Sequence, residues 1–267
     1  MEKTIYRKGE RINYECIGEG NPIVLLHGYL ESHKVWGDFR AELARQFRVL
    51  AIDLPGFGAS DEHKMVTYMD GMADAIYAVL AAEEINQCFM VGHSMGGYAT
   101  LAFTDKYADR LNGFCLFHST PYSDTEEKRE HRRREIDLID KGKKELIISY
   151  NIPNTFADVN LKKYEDEVNR IKEIALKTKD DGIKNALKGM MQRPDRHYVL
   201  HDFNKPMLLI AGAKDNHISL QISKTIAENA PKLQLEVFEN SGHMGFIEEK
   251  DKAVFVITEF ANKLNWK

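Results

Sequence analysis

The heptapeptide Val91-Gly92-His93-Ser94-Met95-Gly96-Gly97 decides how this chain is read. It continues an apolar run, Cys88-Phe89-Met90-Val91, of a length that suits a strand buried on both faces, and it leads into a helix-like stretch. A serine with glycine two residues before and two residues after it, set in a strand-to-helix turn, is a nucleophile elbow. The turn holds the serine in a strained backbone conformation with Oγ clear of the sheet edge. Side chains at 92 or 96 would collide with the neighbouring strand and helix. The helix starting at Ser94 also aims its free N–H groups and positive dipole end at developing negative charge. The competing reading is an ordinary glycine turn, and the strand and helix patterns on either side decide against it.

A serine hydroxyl is a weak nucleophile and needs a base, an orienter for that base and an oxyanion site. Two later segments supply the first two in the chain order Ser, Asp, His. Residues 206–210 form an apolar run whose downstream loop carries Asp215, and residues 233–238 form another, followed by Ser241-Gly242-His243. Loops after successive parallel strands open at the same sheet edge as the elbow, so Asp215 and His243 can converge on Ser94. The oxyanion donors are expected to be the backbone N–H of Met95, directly after the nucleophile, and that of Tyr29, in the loop His27-Gly28-Tyr29-Leu30 after the apolar run 22–26. Nine other histidines compete with His243. His33, His63 and His131 stand among polar or charged neighbours. His197 and His201 have an i,i+4 spacing that suits a metal but lack the adjacent glutamate of a zincin helix.

Outward from these sites, the chain alternates apolar runs with amphipathic segments. Residues 4–7 and 12–16 read as an opening hairpin around Lys8-Gly9-Glu10, and residues 48–52 as a strand ending at Asp53. Trp36, Phe39, Leu43 and Phe47 recur at helical spacing, as do Met72, Ile76, Val79 and Leu80. The pattern predicts an α/β fold with a mostly parallel, doubly wound sheet. After the run 114–117 the alternation stops, and it resumes at residue 206, with helices expected over 219–230 and 251–264. The stretch between holds no strand pattern but has helical patches at 136–148, 161–176 and 183–191. Residues 1–120 and 205–267 are therefore read as one core domain and 121–204 as an inserted helical cap. Ile136, Ile139, Leu146 and Ile147 supply part of its apolar face. The charge run 126–135 is read as a solvated helix face laced with i,i+4 pairs.

The chain has 267 residues, 43% of them hydrophobic, enough to bury a full core. Its formal net charge of −4 lacks the basic excess that nucleic-acid binding requires. No apolar stretch is long enough to span a bilayer, and the first residues lack the apolar core of a signal peptide. Three cysteines, Cys16, Cys88 and Cys115, sit in or beside apolar runs and read as reduced thiols, so a cytoplasmic protein is expected.

These motifs together resemble the α/β-hydrolase superfamily, in its capped esterase, lactonase and C–C hydrolase-like branch, over essentially the whole chain. The stretch from His27 to Trp36 resembles that family's oxyanion loop, and Asp53-Leu54-Pro55-Gly56-Phe57-Gly58-Ala59-Ser60 is similar to its D-x-P-G-x-G-x-S segment, which makes Asp53 structural. Residues 186–195 resemble the last cap helix. Ser94 stands where dehalogenases and epoxide hydrolases of this fold carry aspartate. The loop at 27–30 lacks the Gly-Gly-Pro-Gly of proline iminopeptidases. Tyr98 replaces the arginine of the menaquinone-pathway relatives, and Met244 replaces the tryptophan of the aromatic C–C hydrolases. The resemblance implies hydrolysis of a small, partly apolar ester, lactone or thioester through an acyl-enzyme, with no metal or organic cofactor. C–C bond hydrolysis, acyl thioester hydrolysis and a slow ligand receptor remain as alternatives. Trp36, His118, Tyr122, Met190, Met191 and Met244 are the expected pocket-lining residues.

Overall fold

The computed structural model describes residues 1–62 and 69–266; His63 lies outside them. The chain opens with a hairpin, β1 (Glu2–Arg7) and β2 (Glu10–Ile17), turned at Lys8-Gly9. Then follow β3 (Pro22–Leu26), α1 (Gly37–Leu43), β4 (Arg48–Ile52), α2 (Met69–Ala82), β5 (Cys88–His93), α3 (Met95–Tyr107) and β6 (Leu111–Phe117). Five helices come next: α4 (Glu126–Asp140), α5 (Lys144–Asn154), α6 (Glu165–Leu176), α7 (Asp180–Gln192) and α8 (His197–Asp202). The chain closes with β7 (Met207–Gly212), α9 (Leu220–Asn229), β8 (Leu233–Phe238), α10 (Gly245–Glu248) and α11 (Lys250–Asn262).

The eight strands form one sheet in the order β1-β2-β4-β3-β5-β6-β7-β8. The hairpin and the β2–β4 pair are antiparallel, and the remaining pairs are parallel. Strands β3 to β7 are almost wholly buried, because apolar side chains alternate onto two faces that are both covered by helices. In register, Leu26 pairs with Ile52 and Gly92, His93 with Phe117, Phe117 with Ile210, and Gly212 with Phe238. The strands therefore end level with one another, and the residues that follow them, His27, Asp53, Ser94 and His118, emerge along one edge. The strand order reverses at β3, with β4 on one side and β5 on the other, which opens a crevice at that edge.

The predicted strands are present with small extensions, whereas the helices between β6 and β7 differ in detail. The single patch expected at 136–148 is two helices, because Gly142 adopts φ 70° and turns the chain between α4 and α5. Leu146 is 58% exposed and takes no part in the apolar face; Ile139, Ile147, Ile148 and Ile152 are buried. Phe47 follows the end of α1 instead of lying on it, and the short helix α10 had no sequence signal.

The five helices are tied to the core around their perimeter. Arg170 donates to the carbonyls of Lys34 (2.8 Å) and Val35 (3.1 Å), and Arg196 pairs with Asp70 and Asp105. Glu248 is buried and accepts from Ala157 N–H and Asn160 with one oxygen, and from Gly242 and Met244 N–H with the other. Burial pushes its carboxyl up from the ordinary value. The three cysteines are free thiols. Among the described residues no helix is long and apolar enough to cross a membrane.

The first turn of α7 lies backbone against backbone on the loop after β4. A methyl group on Gly182 would sit 2.1 Å from the Gly56 carbonyl oxygen, with no flexible side chain to give way. Gly182→Ala is expected to force the two segments apart and to cost about 2 kcal/mol, the usual scale of overpacking, measured by urea unfolding.

Candidate active site

Ser94 sits between β5 and α3 at φ 50° and ψ −113°, a left-handed backbone that is strained for any residue with a Cβ. Packing enforces it. A Cβ on Gly96 would lie 2.2 Å from the Leu26 carbonyl oxygen, and one on Gly92 2.3 Å from Thr100 Oγ1, so only glycine lets α3 approach β3 this closely. Ser94 N–H donates to the Phe117 carbonyl (3.0 Å), and the Ser94 carbonyl accepts from Gly97 N–H (2.9 Å) and Ser119 Oγ (2.8 Å).

His243 and Asp215 reach the same edge from the loops after β8 and β7. His243 Nδ1 lies 2.8 Å from Asp215 Oδ2, while Asp215 Oδ1 accepts from His217 N–H (2.7 Å) and Ile218 N–H (3.0 Å). Burial would raise the Asp215 carboxyl, but the facing His243 and the hydrogen bonds from His118 and His243 outweigh it and hold the group well below its ordinary value. Asp215 is thus a fixed anion that keeps the Nδ1 proton on His243 and leaves the Nε2 lone pair free to accept a proton. Ser94 and His243 both line a cavity of about 180 Å³, together with Tyr29, Met190, Ile218 and the end of α4. Among the described residues no hydrogen bond joins the Ser94 hydroxyl to His243; in enzymes that use such a pair the contact often tightens only with substrate bound.

Tyr29 lies in that cavity wall, and Met95 contributes the first N–H of α3, which has no carbonyl one turn earlier in the helix to accept it. The Tyr29 ring is anchored through its hydroxyl to Glu135 Oε2 (3.2 Å), whose other oxygen accepts from Asn151 (2.6 Å).

Of the six expected lining residues, Met190 alone is in the wall. Trp36 is buried behind it, its ring tilted against Phe246 at 4.5 Å between centroids, because the helical face that carries it points into the core. His118 lies beneath the Asp215–His243 pair, and Met244 is fully buried with its N–H on Glu248. Tyr122 faces a separate recess beside His197 and His201, and Met191 lies off the cavity. The charge run also needs correcting. Its outer face is solvated and carries the pairs Arg133–Glu126, Arg133–Glu130 and Arg129–Glu126. The other face, Lys128, His131, Arg132 and Glu135 at i, i+3, i+4 and i+7, turns into the cavity. Arg132 is clamped by Asp124, which also holds Arg193.

Among the described residues, His27, His33 and His197 have partners of their own. His27 donates to the Gly28 carbonyl and accepts from Leu54 N–H. Asp53 accepts from His33 N–H and Nδ1, from Ala59 N–H and from Asn13; although burial opposes its charge, these donors hold it at about 2. His197 pairs with Asp195 on the surface, and its ring is 6.2 Å from that of His201. Among the described residues, the side chains of a type that could hold a metal and that cluster are His118, Asp215 and His243, and Asp215 Oδ2 already lies 2.8 Å from His243 Nδ1 and 3.4 Å from His118 Nδ1.

The sequence did not point to Glu31 or His217. Glu31 is 3% exposed and accepts from Gly28 N–H (2.6 Å) and His93 Nδ1 (3.1 Å); His93 Nε2 donates to the His243 carbonyl (2.9 Å). Burial opposes the charge on His93, but Glu31 and the His243 carbonyl raise its pKa, and the same contacts lower that of Glu31 against burial. A carboxylate inside an otherwise apolar strand-end loop was the available signal for Glu31. His217 stands 4.9 Å from His243 between ring centroids, its Nε2 buried without a partner among the described residues, and burial takes it down to about 3.

The profile of a family described as alpha/beta hydrolase fold matches residues 21–250. The chain is 28% identical to the AB hydrolase superfamily protein YisY of Bacillus subtilis, over 93% of this chain and 94% of the relative. It is 24% identical to 2-hydroxy-6-oxo-2,4-heptadienoate hydrolase of Pseudomonas putida, over 97% and 95%. A thermophilic esterase from Thermogutta terrifontis, solved with malate bound, superposes with a TM-score of 0.93 at 28% identity, covering 98% of each chain.

The buried Glu31–His93 pair sets a pH-dependent stability. His93, raised, contributes stability that is fully present below its ordinary 6.5 and lost as pH rises through its higher folded value. Glu31, lowered, contributes stability that is present above its ordinary 4.5 and lost as pH falls through its folded value. Glu31→Gln keeps an oxygen for Gly28 N–H but leaves a buried imidazolium unpaired. Urea unfolding is expected to show a loss of about 3 kcal/mol at pH 6, shrinking as pH is raised to 9.

Proposed function

The chain belongs to the alpha/beta hydrolase fold family, and on that footing we propose that it is a serine hydrolase cleaving a small carboxylic ester, lactone or thioester through an acyl-enzyme. The observation that carries the reading is the oriented base: His243 held at Nδ1 by a buried Asp215 and sharing one cavity with a strained Ser94. His243 Nε2 removes the Ser94 proton as Oγ attacks the substrate carbonyl. The N–H groups of Tyr29 and Met95 hold the oxyanion, and Asp215 stabilises the imidazolium. The protonated base then gives its proton to the departing alcohol or thiol, and afterwards activates a water that releases the acid.

Residues 121–204 act as a cap over this edge and set specificity. Support comes from the cavity wall, to which Tyr29, Ser94 and His243 contribute from one side and Lys128, Arg132, Glu135, Asn151 and Met190 from the other. The cavity volume favours a small substrate. The charged face of α4 favours one that carries polar groups, where the resemblance implied a partly apolar substrate. The relative named as a heptadienoate hydrolase supports a second reading, C–C bond hydrolysis on the same triad.

Rates on p-nitrophenyl acetate and butyrate, small lactones and a vinylogous ring-cleavage product separate the two readings. Ester or lactone turnover should dominate. Ser94→Ala, His243→Ala and Asp215→Asn should each lower kcat by about a thousandfold or more in folded protein. Near-normal ester turnover in Asp215→Asn would assign the orienter elsewhere, and turnover of the ring-cleavage product alone would favour C–C chemistry.

A further inference from the structure

Behind the proposed triad stands a second imidazole that the acyl-transfer scheme does not use. His118 follows β6, is 1% exposed, and holds φ 48°, a left-handed conformation that costs a residue with a Cβ about 1 kcal/mol or more. Its ring occupies space that two glycines leave clear: a Cβ on Gly245 would lie 2.5 Å from His118 Nε2, and one on Gly212 3.0 Å from Cε1. His118 Nδ1 lies 3.4 Å from Asp215 Oδ2, the oxygen that His243 Nδ1 reaches at 2.8 Å. Gly245 N–H points at Nε2 (3.2 Å) and Gly212 N–H at Nδ1 (3.1 Å).

A neutral imidazole has one donor and one acceptor, so these contacts select a tautomer. With the proton on Nδ1, the ring turns that N–H toward Asp215 Oδ2 at 3.4 Å and accepts from Gly245 N–H, while Gly212 N–H loses its acceptor. With the proton on Nε2, it accepts only from Gly212, turns a lone pair toward a carboxylate, and sets its N–H against that of Gly245. Each form satisfies one of the two backbone donors, and the carboxylate facing Nδ1 favours the first. Burial and the neighbouring His243 take His118 down to about 4 despite Asp215, so the ring is neutral near pH 7.

We propose that His118 is a positioning residue for the triad proposed above, sharing Asp215 Oδ2 with His243 and thereby restraining how strongly Asp215 favours the protonated base. A carboxylate oxygen divided between two donors offers less to each, so His243 gives up its proton more readily than it would with Asp215 to itself. The other groups facing this cluster are His93 from β5, paired with Glu31, with its ring 5.0 Å from His243, and the neutral His217 from the loop after β7. Lys128 of α4 acts on His217 from across the cavity. None of them reaches Oδ2.

Two substitutions separate this role from simple packing. Asn at 118 places an amide N–H where Nδ1 stood, keeping the donor to Asp215 and losing the acceptor for Gly245; it also tolerates a left-handed backbone. Gln reaches the Nε2 position, keeping the acceptor and losing the donor. The pH profile of kcat/KM on a p-nitrophenyl ester is measured from pH 5 to 9 with Ser94→Ala as background. His118→Gln should move the acid limb up by roughly one pH unit, whereas His118→Asn should keep the wild-type limb. Folded variants that both keep it, or that both shift alike, overturn the proposal. Long-range ¹⁵N–¹H spectra of the wild-type histidines provide a test that needs no variant: His118 should be the neutral Nδ1–H tautomer, and an Nε2–H form overturns the proposal. A wild-type rate that does not depend on Ser94 would instead defeat the triad reading itself.

Discussion

Helix α3 meets strand β3 with no side chain between them. Gly96 rests on the Leu26 carbonyl so tightly that a single methyl would overlap it. This contact fixes the start of α3 against the end of β3, and three consequences follow. Ser94 is forced into a left-handed turn at the sheet edge, Met95 N–H is left without an acceptor in its own helix, and the loop from His27 to Glu31 is brought alongside both. Relaxing it would move Ser94, the Met95 N–H and the helix dipole together.

The sheet register supplies the second constraint. Because the parallel strands end level, each places a polar residue on one rim, and burial then obliges those residues to partner one another. Asp53 gathers four donors, Glu31 pairs with His93, Asp215 joins two imidazoles and two backbone amides, and Glu248 ties the His243 loop to the inserted helices. His93 links two of these groups, since its ring spans from Glu31 to the His243 carbonyl. His243 is thereby held by backbone and side chain alike.

Strands, elbow and the convergence of Asp215 with His243 were legible because they depend on local pattern: apolar runs of strand length, glycines at fixed offsets, and the loop that follows each strand. The pocket was not. Which side of α4 faces inward depends on how it packs against α7, and the mixed charges at 126–135 look alike from every side in sequence. Trp36, with the spacing of a core helix, was a plausible wall residue until its ring was seen against Phe246. His118 carried no motif at all; its place beneath Asp215 depends on two glycines, at the end of β7 and the start of α10, more than 90 residues away.

The proposed transfer of an acyl group through Ser94 Oγ is open to direct capture. Mixing the protein with excess p-nitrophenyl ester, quenching in acid within milliseconds and mapping peptides by mass gives its identity. The account predicts a burst of one p-nitrophenol per chain and an acyl adduct on Ser94, absent in Ser94→Ala. Turnover with no adduct, or an adduct on another side chain, would contradict it.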